Sequence, residues 1–427
     1  MKIKLLPIAL ILTASLFNAK ADSLNLKPSN FHGCLAAEKA GYYVGNNGWV
    51  YSAQELQSNF PSLANFSEDV ASIVRYLAKD GITLVPILIP SRPMVYPPPA
   101  KDLLKWGLNF NIIQARNSYR LFYNTLRQKS VILPDILTAM NKYREPGNYF
   151  FGDHHITPIG ASRIADATYD VLKRDNVYEN IPKKAYGIEY SDPFFNPDPS
   201  RSSILKDKCE QQPIEVFNKV LSSDKDNLGL LDNEIPLVIY AGTSMGRDWW
   251  GLPSYLKHKM SIDILDFHIE GGGVYTSLLN YFNSENFKNS KPRIIFWEIP
   301  FEEILFDRDG APNYQQLIYF DQIRASAKTC DNILFSSKIL GNSVDIDTQK
   351  DIYTEDGDTV SLSSEYPIDN IKVFSDKQDM LLQVNNPLRL TNRNSINQIL
   401  PKGINLRHFT LKIVSQNIGS MNLKICR

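Results

Sequence analysis

The sequence predicts two units: an α/β domain with a largely parallel sheet and helices on both faces, followed by a small all-β sandwich. Three observations carry this prediction. Strand-like apolar runs alternate with runs of helical spacing between about residues 23 and 320, which is typical of parallel α/β sheets. After about Cys330 the apolar runs become short, and clusters of Asn, Asp, Gly and Ser separate them, which indicates strands joined by turns. A chain of 427 residues is also longer than a domain with one hydrophobic core usually is.

In the α/β domain, a helix comes before the first buried strand. Residues 67–79 place apolar side chains at helical spacing, and Gly81 then ends the pattern. Residues 82–89 form an apolar run that predicts a strand, in which Pro86 indicates a sheet edge or a bulge. Further apolar runs rich in β-branched residues predict strands at residues 131–136, 235–240, 262–267 and 293–299.

The second unit contains short apolar runs and no convincing helix. These runs predict strands at residues 333–335, 359–362, 371–374, 381–384, 409–414 and 423–425. We therefore expect the α/β domain to span residues 22–325 and the sandwich to span residues 326–427.

The first 21 residues have the pattern of a secretory signal. Lys2 and Lys4 precede a short apolar run, and Ala19-Lys20-Ala21 has the small-residue spacing of a cleavage site. We expect cleavage near Ala21 and a periplasmic protein. An uncleaved anchor helix is the alternative, although the apolar run is shorter than a membrane span needs.

The four cysteines predict structural disulfides. None of them forms a C-x-x-C pair, which argues against zinc and thiol-redox sites. Disulfides persist in the oxidising compartment that an exported protein reaches. We predict that Cys34 pairs with Cys209 and Cys330 with Cys426, because this pairing joins two contiguous units without crossing. Two other pairings of four cysteines remain open.

The overall charge excludes one general class of partner. The chain has 46 basic and 46 acidic side chains, and such a balance argues against nucleic acid. The charge is nevertheless segregated along the sandwich. Residues 345–379 are acidic, whereas the chain from Leu381 onward has no Asp or Glu.

The most informative segment contains an Asp-x-His sequence before a helix. Thr157 is a good N-cap and Pro158 a good first helical residue. Asp153 and His155 then lie in the extended approach to this helix, where residues two apart point to the same side. We expect the carboxylate to bind one imidazole nitrogen and orient the ring, and His154 to point away.

Ser244 is the candidate nucleophile. The predicted strand at residues 235–240 leads into Gly242-Thr243-Ser244-Met245-Gly246. A turn of small residues after a parallel strand is a usual location for α/β active sites. Because a free serine hydroxyl is a poor nucleophile, His155 would serve as its base. The Ser244 amide and an amide from Gly271-Gly272-Gly273 are candidate donors to an oxyanion.

Each motif also has a purely structural interpretation. An isolated Asp-x-His is common as a capping pair, and a Gly-Thr-Ser-x-Gly turn is common as a plain loop. Metal binding by Asp153, His154 and His155 is a further alternative. We expect no metal and no cofactor, because adjacent histidines diverge and no i, i+4 pair completes a site.

These motifs together resemble the SGNH-hydrolase-like domain of the alginate O-acetyltransferases AlgX and AlgJ. The Asp-x-His-x-Thr-Pro-x-Gly pattern starts at Asp153, and Gly-Thr-Ser follows downstream at Gly242. This order of Asp and His before Ser resembles the AlgX branch. The family usually has Trp after the His, whereas this chain has Ile156, so the local substrate contact differs. Other stretches that resemble the family are residues 84–92, 96–97, 271–273 and 296–300.

The resemblance implies an acetyltransferase that acts on an exopolysaccharide, alginate being the family's best-known one. Ser244 would be the nucleophile, His155 the general base and Asp153 the residue that orients it. Gly273, Tyr275 and Arg92 are further candidates for binding the oxyanion or the substrate. The family also implies a membrane O-acyltransferase as acetyl donor and a polysaccharide export complex. A polysaccharide acetylesterase with the same triad and a non-catalytic polymer-binding scaffold remain alternatives.

The resemblance also implies that the sandwich is similar to a carbohydrate-binding module. An anionic polysaccharide would bind to basic side chains of the segment without acidic residues, since Arg can bind carboxylates through two hydrogen bonds. The candidates are Arg389, Arg393, Lys402 and Arg407. An ordinary solvated β-surface is the alternative interpretation.

Overall fold

The computed structural model describes most of the chain. The described residues are 25–27, 38–58, 63–142, 147–195, 214–224, 235–305, 314–328, 330–375, 379–385, 390, 393–415 and 419–427. The predicted signal at residues 1–21 lies outside them, as do Cys34, Cys209 and Arg389. Within the described part of the chain, no helix combines the length and the hydropathy that a bilayer span requires.

The first unit contains helices and strands in alternation. In chain order its elements are β1 (Asn25–Lys27), β2 (Tyr42–Val44), β3 (Val50–Ser52), α1 (Leu63–Ala78), β4 (Thr83–Ile89), α2 (Arg92–Val95), α3 (Ala100–Trp106), α4 (Ile112–Gln128), α5 (Ile136–Asn141), α6 (Pro158–Leu172), α7 (Asn176–Glu179), β5 (Tyr186–Phe195), β6 (Ile214–Asp224), β7 (Val238–Ala241), α8 (Leu252–Met260), β8 (Leu265–Asp266), α9 (Gly273–Phe282), α10 (Glu285–Asn289), β9 (Ile294–Pro300) and α11 (Tyr314–Ala327). Two short 3₁₀ helices, Ser244–Gly246 and Phe301–Leu305, follow β7 and β9.

The second unit consists of strands. They are β10 (Ile333–Leu340), β11 (Ser343–Asp347), β12 (Thr359–Ser364), β13 (Ile368–Ser375), β14 (Met380–Asn385), β15 (Ser395–Ile399), β16 (His408–Ser415) and β17 (Ser420–Cys426).

A four-stranded parallel sheet forms the centre of the first unit, as predicted. Its order is β4-β9-β7-β8, and all ladders are parallel. Every residue of β9 is buried, which fits a strand covered on both faces. Pro86 lies in the edge strand β4, opposite Trp297 of β9. The prediction of an edge strand from Pro86 is confirmed. An edge strand tolerates proline, because the missing N–H can face the side that has no neighbouring strand.

Two of the predicted strands were wrong in extent or type. Residues 131–135 belong to no strand, and Ile136 begins α5 after the Asp135 carboxylate has accepted a hydrogen bond from Thr138 N at 3.1 Å. Val131 and Leu133 are buried in the core, so their apolar character reflects packing rather than a ladder. The strand predicted at residues 262–267 is reduced to Leu265 and Asp266.

Helix α6 begins as its sequence predicts. Thr157 Oγ1 accepts a hydrogen bond from Gly160 N at 3.2 Å, and Pro158 occupies the first helical position. A side chain at Gly160 would collide with the backbone of Asn148, so this helix start lies directly against the strand-like segment that precedes the Asp-x-His sequence. The buried positions Ala161 and Ile164 continue the expected face of the helix.

A three-stranded antiparallel sheet, β1-β6-β5, was not predicted. Its β5–β6 pair packs against α8. Phe217 of β6 contacts the rings of Phe150 and Trp250, with centroids 5.3 Å and 5.2 Å away. This sheet therefore covers one side of the region that contains the Asp-x-His sequence.

The second unit is a sandwich of two four-stranded antiparallel sheets, as predicted. Their orders are β10-β17-β12-β15 and β11-β16-β13-β14, and they enclose a separate hydrophobic core. The predicted bond between Cys330 and Cys426 is present. Leu390 packs against the core of the first unit instead. The expected boundary at residues 325–326 falls in the last turn of α11 and stays a prediction.

Candidate active site

Asp153, His155 and Ser244 form one hydrogen-bonded chain. The distance from His155 Nε2 to Ser244 Oγ is 2.7 Å. His155 Nδ1 lies 2.8 Å from Asp153 Oδ2 and 2.9 Å from Oδ1. Asp153 and His155 are 3% and 2% exposed, so the two polar groups satisfy each other away from water. With Nδ1 bound to a carboxylate, Nε2 is the nitrogen that faces the hydroxyl.

A bent loop, rather than an extended segment, brings Asp153 and His155 together. Tyr149 and Ile156 form an isolated antiparallel bridge, and Phe150 N donates to His155 O at 3.2 Å. Within this loop His155 N donates to Asp153 Oδ1 at 3.3 Å. The two side chains contact each other as expected. The reason is the bend of the loop and not the alternation of an extended segment.

His154 does not point away from the other two residues, as the sequence analysis expected. Its Nδ1 lies 3.2 Å from Asp153 Oδ1, and its ring centroid is 4.1 Å from that of His155. The bend of the loop rotates both imidazoles to the same carboxylate, which the alternation of an extended strand cannot do.

These three residues also form a group that could hold a metal ion. One ligand atom from each of Asp153, His154 and His155 lies within 4.8 Å of the others. Coordination through His155 Nδ1 would replace its hydrogen bond to Asp153. A metal ion here would therefore compete with the arrangement that directs His155 towards Ser244.

A buried carboxylate fixes the turn that carries Ser244. The turn leaves the end of β7, and Ser244 begins the 3₁₀ helix that follows. Glu298 of β9 accepts hydrogen bonds from Tyr240 Oη at 2.6 Å, Thr243 Oγ1 at 2.7 Å and Thr243 N at 3.0 Å. A side chain at Gly242 would collide with both Glu298 and Tyr240. The turn that carries Ser244 thus lies directly on the neighbouring strand.

Trp250 joins the two parts of the site. Its ring stacks on that of His155, with centroids 5.3 Å apart and an interplanar angle of 27°. Its Nε1 donates to the Ser244 carbonyl oxygen at 3.0 Å. The side chain is fully buried, so one rigid indole positions both the imidazole and the serine backbone. The sequence did not predict this role for Trp250.

Arg92 supports the loop instead of facing a substrate. It is fully buried, and its Nη1 donates to the carbonyl oxygens of Phe150, Phe151 and Asp153 at 2.9, 3.1 and 2.6 Å. Its Nη2 pairs with Glu55 at 3.1 Å. Because these carbonyls occupy the guanidinium, the structure does not place Arg92 where an oxyanion could bind.

Tyr275 likewise lies in the core. It is 8% exposed, and its ring contacts those of Phe320 and Tyr319 at 5.3 Å and 5.4 Å. Its hydroxyl is buried and has no hydrogen-bond partner among the described residues. Gly273 has φ +67° and begins α9. Ser244 and Gly273 therefore both begin helical turns, whose first amides have no intrahelical acceptor, and their role as oxyanion donors stays a prediction.

The surroundings of Asp153 favour the ionised form of its carboxyl group. Burial alone would raise the pKa of this carboxyl, but the charge and hydrogen bonds of His155 and the adjacent ring of His154 lower it well below its usual value. Glu215 accepts hydrogen bonds from Phe151 N and Gly152 N. Burial, followed by the charge of Asp153, raises the pKa of Glu215 to about 8. Only one of these two buried carboxylates is thus ionised at neutral pH.

The candidate polysaccharide residues lie in different environments. Arg393 pairs with Asp369 of β13, whereas Lys402 and Arg407 are exposed. Outside the candidate set, Arg427 pairs with Asp358 at 3.1 Å. The acidic and basic halves of the sandwich sequence are therefore interleaved in space, and part of the expected positive face is neutralised.

A second Asp-x-His sequence escaped the sequence analysis. Asp266 Oδ2 lies 2.9 Å from His268 Nδ1, directly after β8 and beside the turn of Ser244, where a side chain at Gly246 would touch His268 Cβ at 3.0 Å. Burial would lower the pKa of His268, but the hydrogen bond and charge of Asp266 raise it. Its repeated spacing was the signal that could have identified it.

Comparison with known proteins gives concordant results. The family model described as "SGNH hydrolase-like domain, acetyltransferase AlgX" matches residues 43–301. The alginate biosynthesis protein AlgX of Pseudomonas aeruginosa is 28% identical over 258 residues, which are 58% of this chain and 53% of that protein. The probable alginate O-acetylase AlgJ of Pseudomonas putida is 24% identical over 312 residues, which are 70% of this chain and 79% of that protein.

Two solved structures share the fold. The structure of Pseudomonas aeruginosa AlgX superposes with a TM-score of 0.74 at 19% identity, covering 90% of this chain and 94% of that one. The O-acetyltransferase domain of Pseudomonas putida AlgJ superposes with a TM-score of 0.53 at 20% identity, covering 67% and 99%. In sequence, the chain spans about half the length of the curated AlgX relative that it matches.

Proposed function

The chain belongs to the AlgX family of SGNH hydrolase-like acetyltransferase domains, and from this premise we propose that it is a periplasmic polysaccharide O-acetyltransferase. It would transfer an acetyl group through an acetyl-serine to hydroxyls of an exopolysaccharide. Alginate is the acceptor that the names of its relatives favour.

One observation carries this proposal: the Ser244 hydroxyl lies 2.7 Å from His155 Nε2, within the reach that proton transfer requires. The other imidazole nitrogen is bound by Asp153, as a nucleophile–base–orienter arrangement requires. Ser244 is also half-buried rather than enclosed, which leaves the hydroxyl accessible.

The first half-reaction would acylate the serine. As Ser244 Oγ attacks the carbonyl carbon of the donor, its proton passes to His155 Nε2. The bond between the acetyl group and the donor then breaks, and His155 returns the proton to the leaving oxygen or sulfur. The carboxylate of Asp153 stabilises the imidazolium that exists between these two events.

The second half-reaction would reverse these steps with a different nucleophile. A sugar hydroxyl gives its proton to His155 and attacks the acetyl carbon. Ser244 Oγ departs and takes the proton back, so that the enzyme is regenerated and the sugar carries the acetyl ester. The Ser244 and Gly273 amides are the proposed donors to the oxyanion in both halves.

A membrane O-acyltransferase is the proposed acetyl donor, and a polysaccharide export complex the proposed setting. In this proposal the sandwich holds the polymer. Lys402 and Arg407 are its best-placed candidate cations, because both are exposed and neither has an acidic partner among the residues the structure describes. Arg393 contributes less, since Asp369 already neutralises it.

The proposal is tested by following acetyl groups from a chromogenic acetyl ester to mannuronate oligomers with mass spectrometry. The wild-type protein should acetylate the oligomers, and Ser244→Ala should not. Ser363→Ala, which changes an exposed serine of β12, is the matched control and should keep full activity. Transfer by Ser244→Ala would contradict the proposal. Release of free acetate alone by the wild type, with oligomers present, would identify an esterase.

A further inference from the structure

Two cations share the ring of Trp249 close to the nucleophile. The guanidinium carbon of Arg247 lies 4.7 Å from the indole centroid, and the ammonium of Lys219 lies 4.5 Å from it. Lys219 also lies 3.8 Å from the centroid of the Phe194 ring. Two like charges close to one ring repel each other, so an anion near them would relieve this repulsion.

Arg247 borders the candidate active site. It ends the 3₁₀ turn that begins with Ser244, and its backbone N–H donates to Ser244 O at 3.2 Å. Its guanidinium carbon is 5.8 Å from the ring of Trp250, which stacks on His155. One indole therefore separates this cation from the catalytic imidazole.

Glu270 holds Arg247 in a two-point ion pair. Arg247 Nε and Nη2 each donate to one carboxylate oxygen of Glu270 at 2.5 Å. The glutamate side chain is 44% exposed and the arginine 17% exposed, so the carboxylate forms the outer partner. Hydrogen bonding to Arg247 is the main reason that the pKa of Glu270 is lowered, and the charges of His268 and His155 act in the same direction.

A carboxylate from solution could replace Glu270 on Arg247. The glutamate side chain is 44% exposed, so it can leave the pair towards solvent, and the planar guanidinium binds any carboxylate with the same two-point geometry. Lys219 would add a second contact that Glu270 does not make, because no acidic group lies within ion-pair distance of Lys219 among the described residues.

We propose that Arg247 and Lys219 bind the carboxylate of an acidic sugar residue in the acceptor, and that Glu270 occupies Arg247 until this carboxylate displaces it. This inference rests on the function proposed above and adds to it two residues of the first unit that would recognise the acceptor's carboxylate.

The test compares two acceptors of equal length: an oligomer of mannuronate and its carboxyl-reduced, neutral counterpart. The KM of each acceptor is measured for acetyl transfer by each variant. The rate of Ser244 acylation is measured separately, so that a general loss of activity is distinguished from a change in acceptor binding. Arg247→Gln should raise the ratio of the acidic to the neutral KM by about 10-fold or more, and Lys219→Gln by about 3- to 10-fold, as expected for lost charge-assisted hydrogen bonds. Glu270→Gln should lower this ratio by about 3-fold.

Lys288→Gln is the matched control, since it removes one exposed lysine of an ordinary surface ion pair with Glu285 and should not change the ratio. Arg247→Lys keeps the charge and should raise the ratio of the acidic to the neutral KM less than Arg247→Gln does. A Glu270→Gln ratio equal to or above that of the wild type would overturn the proposal. So would equal increases in both KM values for Arg247→Gln.

A binding experiment separates this inference from the proposed reaction. Titration of both oligomers into the Ser244→Ala protein, with and without Arg247→Gln, measures the subsite without catalysis. Tighter binding of the acidic oligomer that requires Arg247 supports the subsite even if no transfer occurs. Equal affinities for both oligomers would overturn it even if transfer is active.

Discussion

The imidazole of His155 lies 2.7 Å from the hydroxyl of Ser244, although 89 residues separate them in the chain. The two residues come from different structural contexts, a bent loop before α6 and a 3₁₀ turn after β7. Their distance is therefore set by the groups that fix each segment: Trp250 between them, and Glu298 beneath the serine turn.

Substituting Trp250 should reduce turnover through the lost hydrogen bond. Trp250→Phe keeps an aromatic ring near His155 but removes the Nε1–H that donates to Ser244 O. We expect kcat for acetyl transfer to fall by about 5-fold, since one hydrogen bond is worth about 1 kcal/mol, with a smaller change in KM. Steady-state kinetics with a chromogenic ester and an oligosaccharide acceptor measures both.

Trp106→Phe is the control for this substitution. The Nε1 of Trp106 is buried and has no hydrogen-bond partner among the described residues, so its removal costs no such bond. If both variants lost turnover equally, the hydrogen bond to Ser244 would not be the cause.

Removing the hydroxyl of Thr243 should disturb the turn that carries Ser244. Thr243→Val deletes the donor to Glu298 Oε1 and the acceptor of Met245 N. We expect a loss of about 1–3 kcal/mol in the free energy of unfolding and a fall in kcat of about 10-fold or more. Thr168→Val removes a comparable buried hydroxyl, which donates to Ile164 O at 2.8 Å in α6. It should lose stability but keep kcat, and a matching loss of kcat there would contradict the positioning role of Thr243.

The stability of the protein should depend on the ionisation of Glu215. Its pKa is raised to about 8 by burial and by Asp153, whereas the unfolded chain releases this proton near pH 4.3. The tighter binding of this proton in the folded state therefore contributes fully to the free energy of unfolding below about pH 4.3. The contribution is lost as the pH rises towards 8, by at most about 1.4 kcal/mol per pH unit.

Glu215→Gln cannot ionise and should become more stable relative to the wild type as the pH rises from 5 to 8. Urea unfolding at several pH values measures this difference. Glu179→Gln, an exposed position of α7, should follow the wild-type curve. Parallel curves for Glu215→Gln and the wild type would show that Glu215 does not bind the extra proton.

Local signals in the sequence predicted the elements that depend on local chemistry. Thr157 and Pro158 predicted the start of α6, and Pro86 predicted an edge strand, because each acts through its own backbone geometry. Asp153, His155 and Ser244 were identified by the order of two motifs. The apolar run at residues 131–136 failed as a strand prediction, because burial alone does not distinguish a ladder from packed irregular chain.

The parts that could not be predicted depend on distant partners. Nothing near Arg92 in the sequence indicates that its guanidinium binds three carbonyls of a loop about sixty residues downstream. The orientation of His154 depends on a loop bend that the 3.6- and 2-residue periodicities do not describe. Glu298 lies in residues 296–300, which resemble the family, but only the register of β9 against β7 places it next to Thr243.

The bond between Cys330 and Cys426 has a mechanical consequence for the sandwich. It joins the end of β17 to the segment that follows α11, and β17 lies between β10 and β12 in its sheet. Tension applied at that end cannot peel the strand away one hydrogen bond at a time, because the sulfur bridge carries the load. The ends of β10 and β17 next to this bond stay neighbours under force even when the sheet around them opens.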